Sequence, residues 1–265
     1  MNQAIVISAT PGSLPAYFSE WKKDLKFDGS EYVLCDLGLS SKPNLNIDLE
    51  FTQNNLIYYN KQVLREELNF NVEPSSKHRW NEGGGRSIIW FYPHLRFLYF
   101  YLLHREYEYY WFLDDDITFP ENQLYRFLEL YDTNEKDCLI TYLFSNNSNE
   151  NKSGVPFMDQ SMGSYHGSSH NWLTHYPGAG DRHNKFVKET YGSFFPIVRL
   201  SRKSMELLLS EHNNGWYGYS EGYVPTTLNY YGCSLESIYN TQSRVAADTN
   251  IVIHHKNWKM LWENV

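Results

Sequence analysis

The chain has 265 residues, of which 42% are hydrophobic and 20% are charged, a composition typical of a globular protein rather than a disordered one. Its formal net charge is −8 and no Lys- or Arg-rich run is present, which argues against a nucleic-acid partner. No apolar run approaches the roughly 18 residues that a membrane-spanning helix needs, so we expect no span.

The first third of the chain predicts a strand–helix alternation. Ala4–Ser8 and Tyr32–Cys35 are short apolar runs bounded by turn residues, as buried parallel strands are. A helix is predicted near Phe51–Leu68. A second helix is predicted over Ser87–Arg105, with a bend or a late start at Pro93.

The middle of the chain contains its sharpest feature. Tyr109–Leu113 is predicted to be a core strand, and it ends at the acidic run Asp114–Asp116. Thr118 and Glu121 have the spacing of a capping box, which predicts that a helix begins at this point. Cys138–Phe144 is the next predicted strand.

The last part begins with residues 145–185, a polar stretch rich in Asn, Ser, Gly and His. A segment of this length without periodicity is typical of a functional loop or a disordered region. The remaining predicted elements are the strand Phe194–Leu200, a helix capped by Ser201 and ended by Gly215, a helix over Tyr223–Tyr231 stopped by Gly232, and the strands Cys233–Tyr239 and Asn250–His254. Alternating strands and helices predict one α/β sandwich with a mainly parallel sheet.

Three consecutive carboxylates, on Asp114, Asp115 and Asp116, follow the Tyr109–Leu113 strand. Carboxylates crowded at the end of a buried strand repel one another and are costly to desolvate unless a cation lies among them. Because side chains alternate along an extended segment, Asp114 and Asp116 point the same way and can share Mn²⁺ or Mg²⁺. The alternative is an acidic turn that favours the dipole of a following helix. The position at a sheet edge, where α/β proteins bind ligands, favours the metal.

An apolar strand ending in Asp-x-Asp, in a chain that opens with a βαβ half, resembles the GT-A glycosyltransferases. The resemblance implies a Rossmann-type α/β/α sandwich forming one catalytic domain over 1–265, with 1–116 as the nucleotide-sugar-binding half and 117–265 as the acceptor-binding half. In that superfamily the last acid of the motif binds Mn²⁺ or Mg²⁺, which bridges the donor diphosphate. That ligand corresponds to Asp116, with Asp114 contributing directly or through water.

The same resemblance implies further donor contacts. Asp115 faces the ribose or another donor group, and the nucleoside-binding positions at the first two strand ends correspond to Ser8, Thr10 and Asp36. The chain is similar in character to bacterial capsule and lipopolysaccharide transferases. This implies a UDP-sugar or related donor and a glycan or lipid-linked acceptor in polysaccharide biosynthesis.

A carboxyl-terminal histidine often completes the metal shell in this superfamily. His254 and His255 end an apolar strand here, and either one matches; Lys256 then neutralises the diphosphate. On its own, the pair is equally typical of a strand end that reaches solvent. Arg86, which follows three glycines, is a candidate for the donor phosphates, because arginine suits phosphate recognition; a surface arginine in a loop is the alternative.

Glu221 lies in a Gly- and aromatic-rich segment just before a predicted helix. It resembles the acid that removes the acceptor proton in inverting GT-A enzymes. A hydroxyl is a poor nucleophile, and a carboxylate within hydrogen-bond reach takes its proton as the new C–O bond forms. The alternative is a carboxylate that satisfies backbone N–H groups at a helix start. A retaining enzyme would share the same metal site.

Two other classes of protein compete with the transferase. Asp114-x-Asp116-x-Thr118 also matches the nucleophile motif of haloacid dehalogenase-like phosphatases, but the only later acids, Asp181 and Asp248, are isolated. A non-catalytic carbohydrate-binding module would explain the 17% aromatic content but not the base candidate. A zinc site is disfavoured because the spacing of the loop histidines matches no known pattern and no cysteine joins them: His166, His170, His175 and His183.

Three well-separated cysteines, Cys35, Cys138 and Cys233, lie in apolar runs and predict buried free thiols in a reducing compartment. The first residues lack the pattern of a secretory signal, so we expect a cytoplasmic location. The Trp- and Lys-containing segment Lys256–Trp262 suggests peripheral contact with the inner face of a membrane. A packed terminal helix is the alternative for this segment.

Overall fold

The computed structural model describes residues 2–11, 30–38, 55–69, 93–114, 117–118, 123–145, 191–216, 220–238 and 254–255. Within these ranges the strands are β1 Gln3–Ala9, β2 Glu31–Asp36, β3 Leu56–Tyr59, β4 Tyr109–Leu113, β5 Ile117–Thr118, β6 Cys138–Ser145, β7 Tyr191–Ser201, β8 Leu235–Ser237 and β9 His254–His255. The helices are α1 Lys61–Glu67, α2 His94–Leu103, α3 Gln123–Glu129, α4 Arg202–Asn213 and α5 Ser220–Tyr230.

The described strands form a seven-stranded sheet in the order β3-β2-β1-β4-β7-β6-β8 and a small pair, β5-β9. In the large sheet β7 is antiparallel to both of its neighbours, β4 and β6, and the remaining pairs are parallel. The predicted α/β class with a mainly parallel sheet is therefore confirmed. The carboxyl ends of the parallel strands and the start of β7 all lie at one edge of the sheet.

Apolar side chains cover both faces of the sheet, because successive strand residues point to opposite sides. Ala4 and Val6 of β1 face a core that also contains buried residues of α1, α2, α4 and α5. Ile5 and Ile7 face a second core, to which α3 contributes Phe127 and its neighbours. The molecule is a three-layer sandwich, and both core layers stop at the polar strand ends.

The helix α2 lies across the centre of the sheet. Most of its residues are buried, and Phe97 stacks on Phe112 of β4 with ring centroids 4.1 Å apart. Burying each such ring stabilises the fold by roughly 1.5–3 kcal/mol relative to leaving it exposed. The helix begins directly after Pro93, as the sequence predicts. Its first turn lies at the same edge of the sheet as the carboxyl ends of the parallel strands.

Several local predictions are confirmed. Ser201 caps α4, and its hydroxyl accepts from the Ser204 N–H at 3.1 Å. Gly215 and Gly232 follow α4 and α5 with φ angles of 81° and 72°, a left-handed conformation that glycine adopts at little cost. The three cysteines are buried free thiols.

One local prediction is only partly right. Within the range predicted as a helix near Phe51–Leu68, Lys61–Glu67 is helical, as α1, but Leu56–Tyr59 is the strand β3. Asn60 caps the start of α1 by accepting from the Val63 N–H at 2.9 Å. Pairing of β3 with β2 supplies hydrogen bonds that the local pattern does not reveal. Thr118 lies in β5 and pairs with His254, far along the chain; residues 119–122, where the predicted helix would begin, lie outside the described residues.

Other predicted bounds shift by a few residues. The strand predicted over Phe194–Leu200 extends over Tyr191–Ser201, and the strand predicted over Cys233–Tyr239 shrinks to Leu235–Ser237. Nearly all of the polar stretch 145–185 lies outside the described residues.

Candidate functional site

Two predicted donor-binding residues, Ser8 and Asp36, and the predicted metal ligand Asp114 follow or end neighbouring strands at the carboxyl edge of the sheet. β1 lies between β2 and β4, and the register pairs Ala9 with Cys35 and Ile7 with Leu113. By strand alternation all three side chains belong to the face that α2 covers.

An arginine that the sequence analysis missed lies above them. Arg96 is in the first turn of α2, and its Nη2 donates to Asp114 Oδ1 in an ion pair. The Arg96 side chain is 11% exposed and that of Asp114 is 34% exposed, so water screens the pair only partly. The sequence signal was an arginine in an otherwise buried helix that follows a proline. The arginine proposed from sequence, Arg86, lies outside the described residues.

The positive charge of the Arg96 guanidinium also acts on the Asp36 carboxyl. Burial raises the pKa of the Asp36 carboxyl, while a hydrogen bond from the Gly38 N–H and the charge of Arg96 act to lower this pKa. Asp36 Oδ1 accepts from the Gly38 N–H at 2.8 Å. Among the described residues at this edge, Asp36 and Asp114 are two carboxyl groups near the one guanidinium of Arg96.

Ser8 contributes a hydroxyl to the same place. Its side chain is 6% exposed, and within the described part of the chain its Oγ has no hydrogen-bond partner. A buried polar atom of this kind costs roughly 1–3 kcal/mol unless a ligand or water satisfies it. Thr10, two residues on, is exposed at the end of β1.

The short pair β5-β9 brings the carboxyl-terminal histidines to the acidic run. The chain turns directly after β4, with the Ile117 N–H donating to the Asp114 carbonyl at 3.2 Å. Ile117 then pairs with His255, and Thr118 pairs with His254. The backbone of the His254–His255 strand therefore lies beside the segment that immediately follows the acidic run.

The sequence suggested that Glu221 lies in the loop before a helix. In the structure it lies in the first turn of α5. Its side chain is 9% exposed, and its carbonyl accepts from Ser193 Oγ of β7 at 2.7 Å. The neighbouring Ser220 Oγ accepts from the His94 N–H at 3.1 Å and lies 2.6 Å from His94 Nδ1. Since His94 begins the helix that carries Arg96, the start of α5 lies on the same face and at the same edge as Asp114.

The His94 imidazole is fully buried, and burial together with the nearby His212 lowers its pKa well below the usual range. The ring is therefore neutral near pH 7, and it adds no positive charge to the edge. Its contact with Ser220 and the tilted packing of its ring on Tyr223, at 5.0 Å, join α2 to α5.

The other predicted site residues and segments cannot be placed. The side chains of His254 and His255 lie outside the described part, as do the remaining positions: Asp115, Asp116, Arg86, Lys256, the loop histidines, Asp181, Asp248 and Lys256–Trp262. Among the described residues no group of three or more His, Cys, Asp or Glu side chains is arranged to hold a metal. No helix in the same ranges has the length and apolar character needed to cross a membrane.

No protein-family model matches the chain, and no curated protein sequence matches it. Among solved structures, TarS of S. aureus in complex with UDP-GlcNAc aligns with 90% of this chain and 56% of its own, at 12% identity and a TM-score of 0.41. Mouse xyloside xylosyltransferase 1 aligns with 90% of this chain and 85% of its own, at 11% identity and a TM-score of 0.41. The S. cerevisiae mannosyltransferase Ktr4p aligns with 96% and 70%, at 10% identity and a TM-score of 0.39. Structural similarity at these identities and TM-scores does not assign an activity to the chain.

Proposed function

We propose that the chain is a GT-A-type glycosyltransferase that moves a sugar from a nucleoside-diphosphate sugar, such as a UDP-sugar, to an acceptor hydroxyl of a glycan or a lipid-linked glycan. The observation that carries the proposal is the pairing of β5 with β9. A strand that contains two histidines lies against the segment that follows three carboxylates at the carboxyl end of a central strand. Histidine and carboxylate ligands from separate segments are typical of sites for divalent cations.

The residues present fit Mn²⁺ or Mg²⁺. Asp116 and one of His254 and His255 would hold the ion, and Asp114 would contribute a carboxylate oxygen, directly or through water. Two described carboxyl groups, Asp36 and Asp114, lie near Arg96 at this edge, which supports the proposal of a cation there. When bound, such an ion acts as a Lewis acid that stabilises negative charge on the leaving diphosphate.

The donor nucleoside is assigned to the ends of β1 and β2. Ser8 offers a buried hydroxyl, and Asp36 offers a carboxylate for the hydroxyl groups of a ribose. Asp115 and Thr10 complete this side of the proposed site. Arg86 and Lys256 are proposed to neutralise the donor phosphates.

Glu221 is proposed as the general base of an inverting transfer. The acceptor oxygen attacks the anomeric carbon from the face opposite the diphosphate. As the new C–O bond forms, the bond from the anomeric carbon to the diphosphate oxygen breaks, and the acceptor proton passes to the Glu221 carboxylate. In the first turn of α5 the Glu221 carboxyl group lies at the positive end of the helix dipole, which attracts a negative charge.

The test is a panel of UDP-, GDP-, TDP- and CMP-sugars incubated with the chain, with release of the nucleotide as the readout. We expect release from at least one donor with Mn²⁺ or Mg²⁺ and none in the presence of EDTA. A phosphate monoester serves as the parallel substrate for the phosphatase alternative. Cleavage of the monoester without turnover of any nucleotide sugar would overturn the transferase assignment in favour of that alternative.

A further inference from the structure

The helix that carries Glu221 has an internal proline. In an α-helix the N–H of each residue donates to the carbonyl four residues earlier. Pro225 lies in α5 and has no N–H, so the carbonyl that loses its helical donor is that of Glu221. The sequence therefore places a break in the backbone hydrogen bonding at the proposed base.

A side chain from the sheet replaces the missing donor. Ser193 of β7 is fully buried, and its hydroxyl donates to the Glu221 carbonyl at 2.7 Å. This contact is a normal hydrogen bond between a strand and the first turn of a helix. It fixes the peptide group of Glu221 itself to the central sheet.

Two other contacts hold α5 on either side of this point. Ser220 contacts His94 at the start of α2, and the Tyr191 N–H at the start of β7 donates to Thr226 Oγ1 at 2.9 Å. These contacts orient the helix as a whole. Ser193 adds a further contact, which acts directly on the peptide group of Glu221, and an internal proline is where helices bend.

We propose that Ser193 is a positioning residue for the general base Glu221, and that it does so by supplying the hydrogen bond that Pro225 removes. This inference rests on the proposed function. A general base must lie within roughly 2.6–3.2 Å of the proton that it takes. A displacement of about 1 Å can lower the rate by roughly a hundredfold, so a single backbone contact at the base is sufficient to govern turnover.

The experiment is a double-mutant cycle of Ser193→Ala and Pro225→Ala, measured with the nucleotide sugar that the panel identifies. In Ser193→Ala we expect kcat to fall roughly ten- to a hundredfold, while the donor KM and the metal requirement change by no more than about twofold. In the Pro225→Ala background residue 225 has an N–H for Glu221, so the same serine substitution should lower kcat by only about threefold or less. This rescue distinguishes positioning from a general loss of packing.

Ser204→Ala is the matched control. Ser204 is also fully buried, and its hydroxyl also donates to a backbone carbonyl, that of Asp137, at 2.9 Å, but at the opposite edge of the sheet. It should lower the melting temperature as Ser193→Ala does and leave kcat per folded molecule near the wild-type value. If Ser193→Ala does not fold, Ser193→Cys, whose thiol is a weak donor, takes its place in the cycle.

The outcomes separate the two proposals. Equal losses of kcat from the serine substitution in both backgrounds, or no loss in either, would overturn the positioning role while leaving the transferase intact. Normal kcat in Glu221→Gln would overturn the base and with it the role of Ser193. No turnover of any donor by the wild-type chain would overturn the proposed function itself. The expected pattern is a loss in Ser193→Ala, a rescue by Pro225→Ala and a larger loss in Glu221→Gln.

Discussion

Replacing Arg96 by methionine should destabilise the fold and weaken donor binding together. Methionine keeps much of the aliphatic stem of arginine but removes the guanidinium that pairs with Asp114 and lies near Asp36. Exposed ion pairs contribute about 0–1 kcal/mol, and breaking a fully buried pair costs about 3–5 kcal/mol. Because Asp114 is 34% exposed, this pair lies between these limits. We therefore expect Arg96→Met to lower the free energy of unfolding by about 1.5–3 kcal/mol at neutral pH.

The loss of unfolding free energy in Arg96→Met should depend on pH. Arg96 favours the ionised form of Asp36, so its removal raises the Asp36 pKa further above the ordinary value. A carboxyl whose pKa is raised in the folded state loses stability as pH rises through that pKa. The difference in free energy of unfolding between the wild type and Arg96→Met should therefore be small below the ordinary Asp pKa of about 3.9 and should grow toward neutral pH.

The assay is urea unfolding of the wild type and Arg96→Met at several pH values, with calorimetric titration of the donor nucleotide in Mn²⁺ at neutral pH. Arg105→Met is the control, because Arg105 is exposed beyond the end of α2 and lies over the Tyr101 ring. We expect Arg105→Met to lower the free energy of unfolding by at most about 0.5 kcal/mol. An electrostatic role for Arg96 would be refuted if the loss of unfolding free energy in Arg96→Met were independent of pH or equal to that of the control.

Four further results are expected. Asp116→Ala should abolish metal-dependent donor binding while the fold stays intact, and calorimetry with Mn²⁺ and the nucleotide checks this; unchanged binding would remove Asp116 as a ligand. Glu221→Gln should keep donor and metal affinity and lower transfer by a factor on the order of 10²–10⁴ in single-turnover assays, whereas a capping role alone predicts a lower melting temperature with normal transfer. Asp36→Asn should gain stability relative to the wild type as pH rises above about 4, because it removes a buried carboxyl with a raised pKa while an amide oxygen still accepts from the Gly38 N–H; melting curves at pH 4 and 7 that show no such gain would contradict the burial argument. The segment Lys256–Trp262 should cause the chain to float with anionic liposomes at low salt, and no flotation under that condition would exclude the membrane contact.

The strands were predictable where apolar runs end in turn residues. Tyr109–Leu113 and its acidic end were found from sequence because a buried strand leaves a continuous apolar run. Ser201 was found as a cap because capping is a local interaction. In each case the information lay within a few neighbouring residues.

The missed features depend on contacts between distant segments. Arg96 gains its role only because α2 packs with its first turn over the end of β4, and no local pattern gives that orientation. The pairing of Thr118 with His254 joins two segments that are remote in sequence, and the local spacing of Thr118 and Glu121 gives no sign of it. Pro225 was visible in the sequence, but its consequence required the position of Ser193 on β7.

The reversed direction of β7 also bears on how this fold can diversify. Ser145 and Tyr191 are register partners at the ends of β6 and β7, so both attachment points of the intervening stretch are already held together by the sheet. The entropic cost of closing a loop between such fixed ends rises only slowly with its length, by about 0.6 kcal/mol for each doubling. Insertions, deletions or wholesale exchange between these two points therefore require no change in the sheet. Sequence changes between these two points can therefore accumulate while the strand ends near Arg96 stay as they are.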